Sequence, residues 1–206
     1  MRFTEENRLR FFESTLEEKL QISELDPASG KRKVVYVLPA EADSMGIIAP
    51  GGGYATVSNI DETFVVDIEQ KTKLFGFVRW AVTEYIPGRQ QMIAQHGREL
   101  QLLSLPSGRV LKRLDLGEHV TGPASCMAVS SSGAMAALSN IDGYSNVRLV
   151  DQEKMRELRK INIGPSESKP GVVTFSSDEK YLLTSTHSIS VRDKHVDPVI
   201  CIWKLE

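Results

Sequence analysis

One short pattern comes back five times along this chain, and no other feature narrows its fold as much. An apolar pair leads into a turn, a second apolar run into a second turn, a third run often ends on an acidic residue, and a fourth run follows. The first turn marks the repeat best. Phe3 is followed six residues later by Leu9, Ile48 by Tyr54, Tyr85 by Gln91 (Met92 with one residue slipped), Val129 by Met135 and Phe175 by Tyr181. These anchors lie 45, 37, 44 and 46 residues apart. Four short strands repeating every roughly 40–45 residues is the pattern of a β-propeller blade. The expectation is an all-β chain: a β-propeller of about five four-stranded blades, the last incomplete. A single array over residues 1–206 would have blades at approximately 1–40, 41–79, 80–118, 119–164 and 165–206.

The units read as strands separated by punctuated turns. In the first, Arg8 to Phe12, Lys19 to Leu25 and Lys33 to Leu38 are β-prone runs, and Asp26-Pro27-Ala28-Ser29-Gly30-Lys31 carries turn chemistry between two of them. Gly51-Gly52-Gly53, Pro87-Gly88 and Ser130-Ser131-Ser132-Gly133 fill first turns in later units. The tetrapeptide Ser58-Asn59-Ile60-Asp61 recurs as Ser139-Asn140-Ile141-Asp142 at the same place in its unit, which speaks for internal duplication. Met155 to Arg159 is the one stretch where a helix competes. It is short, and Ile161 and Ile163 alternate after it, so turn and strand are expected.

Composition excludes several classes. Charged residues are 25% and apolar ones 41%, and the formal net charge is −2. No basic stripe recommends nucleic acid, and nothing recommends an anionic membrane surface. No apolar run reaches the roughly 18 residues a membrane helix needs, and Met1-Arg2-Phe3-Thr4-Glu5-Glu6 lacks the apolar core of an export signal. Cys126 and Cys201 sit in apolar runs and read as buried free thiols. A reducing, intracellular setting is expected, cytoplasmic with the nucleus as the alternative.

Candidates for chemistry are few. His96, His119, His187 and His195 show no metal-ligand spacing, so neither metal nor cofactor is expected. Gly51-Gly52-Gly53 lacks the Lys and Ser/Thr of a phosphate loop and reads as a tight turn. Serines 130 to 132 and 176 to 177 have no base and acid beside them and read as turn residues. Lys31-Arg32-Lys33, Lys112-Arg113 and Arg156/Arg159-Lys160 fall on or beside fourth strands, where charge discourages edge-to-edge pairing. Asp193-Lys194-His195-Val196-Asp197 is the densest polar cluster, in a loop between Ser188 and Pro198, and suits a partner contact.

Two stretches carry a family resemblance. Val173-Thr174-Phe175-Ser176-Ser177-Asp178-Glu179-Lys180-Tyr181-Leu182-Leu183-Thr184-Ser185 resembles the first strand, Ser-rich turn and second strand of a WD40 repeat. Ala128 to Ser139 resembles the same stretch. The family's closing Trp-Asp pair is degenerate here: Leu25-Asp26, Ile68-Glu69, Val150-Asp151 and Trp203-Lys204. Its Gly-His dipeptide is absent before each unit. The resemblance implies a WD40-like propeller and a role in protein–protein interaction, with no particular partner.

The last unit stops at a third strand, Pro198 to Leu205, so ring completion by another segment or chain is expected. The chain then reads as a portion of a longer propeller, a dimer that closes the ring, or an open arc capped by a partner. In the WD40 arrangement the fourth-to-first and second-to-third connections share the face that commonly binds peptides. Arg79, Trp80, His96, Arg98, Tyr144 and His195 are the partner-binding candidates there. Trp80 equally suits a wedge between blades. The expected function is a non-catalytic scaffold, part of a larger protein. The alternatives are a regulatory or sensor C-terminal propeller of a signalling protein, or a propeller enzyme.

Overall fold

The computed structural model describes residues 1–4, 6–15, 19–41, 45–59, 61–78, 81–118, 120, 122, 124–139, 146–163, 169–187, 189–191, 194–196 and 199–205. Among them there is no helix. The first sheet runs β1 (Arg2–Phe3), β2 (Leu9–Ser14), β3 (Lys19–Leu25) and β4 (Arg32–Glu41). The second runs β5 (Met45–Ile48), β6 (Tyr54–Ser58), β7 (Glu62–Asp67) and β8 (Thr72–Val78). The third comprises β9 (Val82–Tyr85), β10 (Gln91–His96), β11 (Glu99–Ser104) and β12 (Val110–Asp115). The fourth comprises β13 (Cys126–Val129), β14 (Met135–Ser139), β15 (Asn146–Asp151) and β16 (Arg156–Asn162). In the fifth, β17 (Lys169–Phe175), β18 (Tyr181–His187) and β21 (Ile200–Lys204) pair, and β19 (Ile189–Val191) with β20 (Lys194–Val196) forms a separate hairpin between them. All these sheets are antiparallel meanders, the last with three strands.

The repeat survives at the level of single hydrogen bonds. The amides of Thr4, Ala49, Ile86, Ser130 and Ser176 donate to the carbonyls of Arg8, Tyr54, Gln91, Met135 and Tyr181 at 2.8, 2.9, 3.1, 2.9 and 2.9 Å. Each first residue's own carbonyl then accepts from the amide three positions on: Asn7, Gly52, Arg89, Gly133 and Glu179. Asn7, Gly52, Gly133 and Glu179 take a left-handed backbone there, which reverses the chain in the fewest residues. The six-residue spacing of the sequence marks the start of the second strand rather than the cross-strand partner. Ile48, Tyr85, Val129 and Phe175 pair seven residues on, with Ala55, Met92, Ala136 and Leu182, and only Phe3 pairs six on, with Leu9.

The turn after the third strand is equally regular. Gly30, Lys71, Gly108 and Met155 are left-handed, each four residues after Asp26, Asp67, Ser104 and Asp151. The carboxylates of Asp26, Asp67 and Asp151 accept the amides of Ala28, Gln70 and Lys154 at 2.9, 2.8 and 2.9 Å. This explains why acid ends the third run: it holds the turn. In the second sheet the residue in that role is Asp67. The expected Ile68-Glu69 pair is corrected, because Ile68 is buried and Glu69 faces out to Arg10. Met155 to Arg159 forms turn and strand as expected, with Arg156 opening β16.

The chain divides into two compact units, Met1–Ala81 with Leu105–Gly108, and Val82–Ser104 with Arg109–Glu206. In the first, the two sheets enclose Leu20, Ile22, Leu38, Ile48, Val57, Phe64 and Val66. Gly46 lies against the Phe12 ring, so close that a Cβ would overlap it. Arg10, 7% exposed, ties these sheets together. Its Nε donates to Glu24 at 2.9 Å, Nη1 to the Gly52 carbonyl at 2.7 Å and Nη2 to Glu69 at 2.6 Å. The triple glycine is thus a turn that receives an arginine, with no room for a Cβ at Gly52: Thr4 Cγ2 would lie 2.9 Å away.

In the second unit the fourth sheet is covered on both faces. Met127, Ala136, Leu138 and Val150 meet Ile86, Ile93 and Leu100 of the third. Ala137, Val147, Leu149 and Ile161 meet Val173 and Leu182 of the fifth. Adjacent residues of β14 point to opposite cores, so Met135 to Leu138 are all apolar instead of alternating. First turns interlock as well. Ser131 Oγ and Ser132 Oγ donate to Glu179 at 2.7 and 2.9 Å, and the Ser132 amide does the same. The serines are therefore clasps between successive sheets as well as turn residues. Burial is incomplete at both free cysteines, Cys126 and Cys201. Arg32, Lys33, Lys112, Arg113, Arg156, Arg159 and Lys160 lie on β4, β12 and β16, the edge strands of their sheets.

Candidate functional site

Of the sequence candidates, His96 and Arg98 are brought together by the β10–β11 hairpin, which turns at Gly97. The Arg98 guanidinium lies 3.6 Å from Asp115, both more than half exposed. The Arg98 carbonyl accepts the Leu116 amide at 2.8 Å, which anchors the backbone while the side chain faces water. His195 pairs with Ser190 in the β19–β20 hairpin, and its side chain lies outside the described residues. Arg79, Trp80 and Tyr144 also lie outside them.

What holds the His96–Arg98 turn is Gln95, fully buried. Its Nε2 donates to the Gly97 carbonyl at 2.5 Å and to the Gly122 carbonyl at 3.2 Å, and its Oε1 accepts the Ala124 amide at 2.6 Å. One amide therefore fixes the second turn of the third sheet to the segment leading into the fourth. A buried glutamine with all these bonds satisfied positions backbone, as polar groups in cores do. Nothing in its sequence neighbourhood announced it.

A cleft of about 440 Å³ opens in the same unit, at the other end of the strands. It is bounded by Ile86 and Arg89 after β9, by Leu111 and Lys112 of β12, and by Gln152 and Lys154 after β15. In a meander the first and third turns share one end and the second turn takes the other. The cleft therefore opens away from the connections on which the sequence placed binding. Lys112 Nζ donates to the Glu153 carbonyl, and Arg89 reaches the Ser132 carbonyl at 3.4 Å. Gln152 is 2% exposed, and neither polar atom of its amide has a partner among the described residues; nor does Oε1 of Gln91, beside it in the lining. A rim of Arg89, Lys112, Lys154 and Glu153, an aliphatic floor of Leu102 and Leu111 and amide groups without partners are the kinds of group that hold a polar ligand. Gln152 escaped notice in the sequence, because a turn glutamine is unremarkable until its burial is known, and Gln91 stood out there only as a marker of the repeat.

Elsewhere in the unit, Cys126 Sγ lies 2.8 Å from Ser139 Oγ. Burial pushes the Cys126 thiol up, and the Ser139 hydroxyl only partly offsets it. Such a thiol is a poor nucleophile. Among the described residues no group of His, Cys, Asp and Glu could hold a metal ion, and no helix is long and apolar enough to cross a membrane.

No family model matches the chain, and no curated protein matches it. Solved structures do, 1130 chains of them. One is hydrazine synthase of Kuenenia stuttgartiensis, similar at 15% identity with a TM-score of 0.62 over 90% of this chain and 54% of that one. The chain thus spans about half the length of that structure. At this identity the likeness is one of fold alone.

Proposed function

We propose that this chain is a WD40-like propeller array, complete or part of one, that serves as a non-catalytic protein–protein interaction scaffold in the cytoplasm. The carrying observation is the first turn with the same pair of hydrogen bonds in all five units, from Thr4 to Ser176. Repetition at that level supports one supersecondary unit used five times, which is how repeat proteins build rigid frames for variable loops. The likeness in fold to a long solved chain supports the array. Its name is that of an enzyme, which lends the enzyme alternative no residue.

The partner surface we propose is the loop end of the third sheet that carries His96 and Arg98; Arg79, Trp80, Tyr144 and His195 remain candidates by their place in the sequence alone. Anchoring the backbone through Gln95 and leaving Arg98 exposed suits a contact that must not deform on binding. The test is a His96→Ala/Arg98→Ala double variant compared with wild type by affinity capture and mass spectrometry. The variant keeps its melting temperature and loses specific partners. Identical partner sets would reject the surface.

A further inference from the structure

Two residues break the chain's own repeat, and both line the cleft of about 440 Å³. Gln91 opens β10, where Leu9, Tyr54, Met135 and Tyr181 open β2, β6, β14 and β18. It stands opposite Ser104 as Tyr54 stands opposite Asp67 and Met135 opposite Asp151. Gln152 shares a position with Ile68 and Leu205. The amides of the three donate to the carbonyls of Ala134, Gly53 and Lys180, at 2.9, 2.9 and 2.7 Å, each just ahead of a second strand. Ile68 is fully buried and Leu205 packs on the core around Leu182. The fold elsewhere fills both places with apolar or aromatic side chains, so it has no need of an amide at either.

Gln152 is 2% exposed all the same, and among the described residues its Nε2 and Oε1 have no partner, nor has Oε1 of Gln91. A buried polar group left so is costly unless something binds it. The last torsion of a glutamine is broad, so its amide can turn to a ligand while the bond to Ala134 holds the Gln152 backbone.

The unmet groups specify the ligand. Two carbonyl oxygens accept and one NH₂ donates. An exocyclic amine beside a ring nitrogen is the complement: its two N–H bonds serve the two carbonyls, and the ring nitrogen accepts from Gln152 Nε2. Adenine and cytosine carry that edge, and glutamine pairs with adenine in this bidentate way. The aliphatic side chains of Leu102 and Leu111 suit the faces of a flat ring. Arg89, Lys112 and Lys154 outnumber Glu153 at the rim. Lys112 gives one bond to the Glu153 carbonyl and Arg89 one, at 3.4 Å, to the Ser132 carbonyl, which leaves both with N–H groups for an anion. The volume lies within the roughly 300–1,000 Å³ of small-molecule sites.

We propose that this cleft binds a nucleotide of adenine or cytosine, with the base edge on Gln152 and Gln91 and the phosphate on Arg89 and Lys112. The inference goes beyond the scaffold reading and does not rest on it.

Isothermal titration of the full chain with AMP, IMP, CMP and UMP is the test. IMP and UMP carry an oxygen where AMP and CMP carry the amine. In at least one of these pairs the amine nucleotide binds about tenfold or more tightly than its partner, the discrimination of one bidentate pair. AMP against CMP tells which ring fits. Gln152→Met abolishes the preference and leaves the ligand-free melting temperature no lower. Lys112→Gln weakens the nucleotides and keeps the preference. By NMR, the side-chain amide of Gln152 shifts as the preferred nucleotide is added. Equal binding within both pairs overturns the proposal, as does a preference that survives Gln152→Met. So does a nucleotide held no more tightly than inorganic phosphate. An unshifted Gln152 amide, with Gln152→Met less stable than wild type, shows that water serves the amide and rejects the site. Loss of the nucleotide site leaves the partner set of the His96/Arg98 loop to be judged by its own variant.

Discussion

The Arg10 guanidinium donates to the Gly52 main-chain carbonyl at 2.7 Å, reaching across 42 residues from the second strand of one sheet into the first turn of the next. The same side chain holds Glu24, 3% exposed, which Lys33 approaches at 3.0 Å. Deleting a buried ion's partner strands a charge and commonly costs about 3–5 kcal/mol. Because Lys33 remains, Arg10→Met should cost about 3 kcal/mol. Urea unfolding of both proteins measures the difference, and a loss under about 1 kcal/mol would mean the ion network is not built this way.

The network also sets an acid limit. Burial alone would push the Glu24 carboxyl up, but Lys33 and Arg10 outweigh it and hold it below the ordinary 4.5. Glu13 goes the same way: burial pushes it up, and Ser23, Gln21 and Arg32 together bring it below 4.5. Each binds its proton less well folded than unfolded. Their stabilisation is whole above about pH 4.5 and drains as pH falls from there through the lower folded values. Melting temperature should drop more steeply below pH 4.5 in wild type than in Glu24→Gln.

Gly133 and Gly30 make a matched pair. Both are left-handed, at φ of +73° and +68°. A Cβ on Gly30 meets nothing within 4 Å, whereas one on Gly133 would collide with Ile86. Gly30→Ala should cost about 1 kcal/mol, the backbone penalty alone. Gly133→Ala should cost a further 1–3 kcal/mol or so for overpacking. Equal losses in thermal melts would contradict the interlocking of those turns.

Gln152 tests the cleft. A buried amide without partners is a liability of about 1–3 kcal/mol. Gln152→Met, nearly the same shape, should therefore raise the unfolding free energy by about 1 kcal/mol. A loss of stability would show that the amide is satisfied in solution.

The five-unit organisation was legible because it is written in local chemistry. Turn residues, β-branched runs and terminal acids such as Asp26 and Asp151 act within a few positions of themselves, so their spacing survives in one dimension. Asp67 was misplaced by two residues because Ile68 and Glu69 mimic the apolar–acid pair, and only the hydrogen bond to Gln70 separates them. Arg10, Gln95 and Gln152 were invisible for the opposite reason. Each acts on a backbone group or a void supplied by distant chain, with no periodicity to betray it. The binding end was read from the loops of a resembling family, and the cleft opens at the other end, where ordinary hairpin turns meet.

Lys71 holds a left-handed backbone, φ +54°, at the same offset where Gly30 and Gly108 sit at ease. Met155 bears a like conformation but fills a core beside Val150, and Glu179 uses its own to clasp two serines. Lys71 is exposed and recovers nothing of the kind. Natural chains tolerate such slack as long as they stay folded. Lys71→Gly should harden this protein against heat by about 1 kcal/mol, a reserve that selection has left unclaimed.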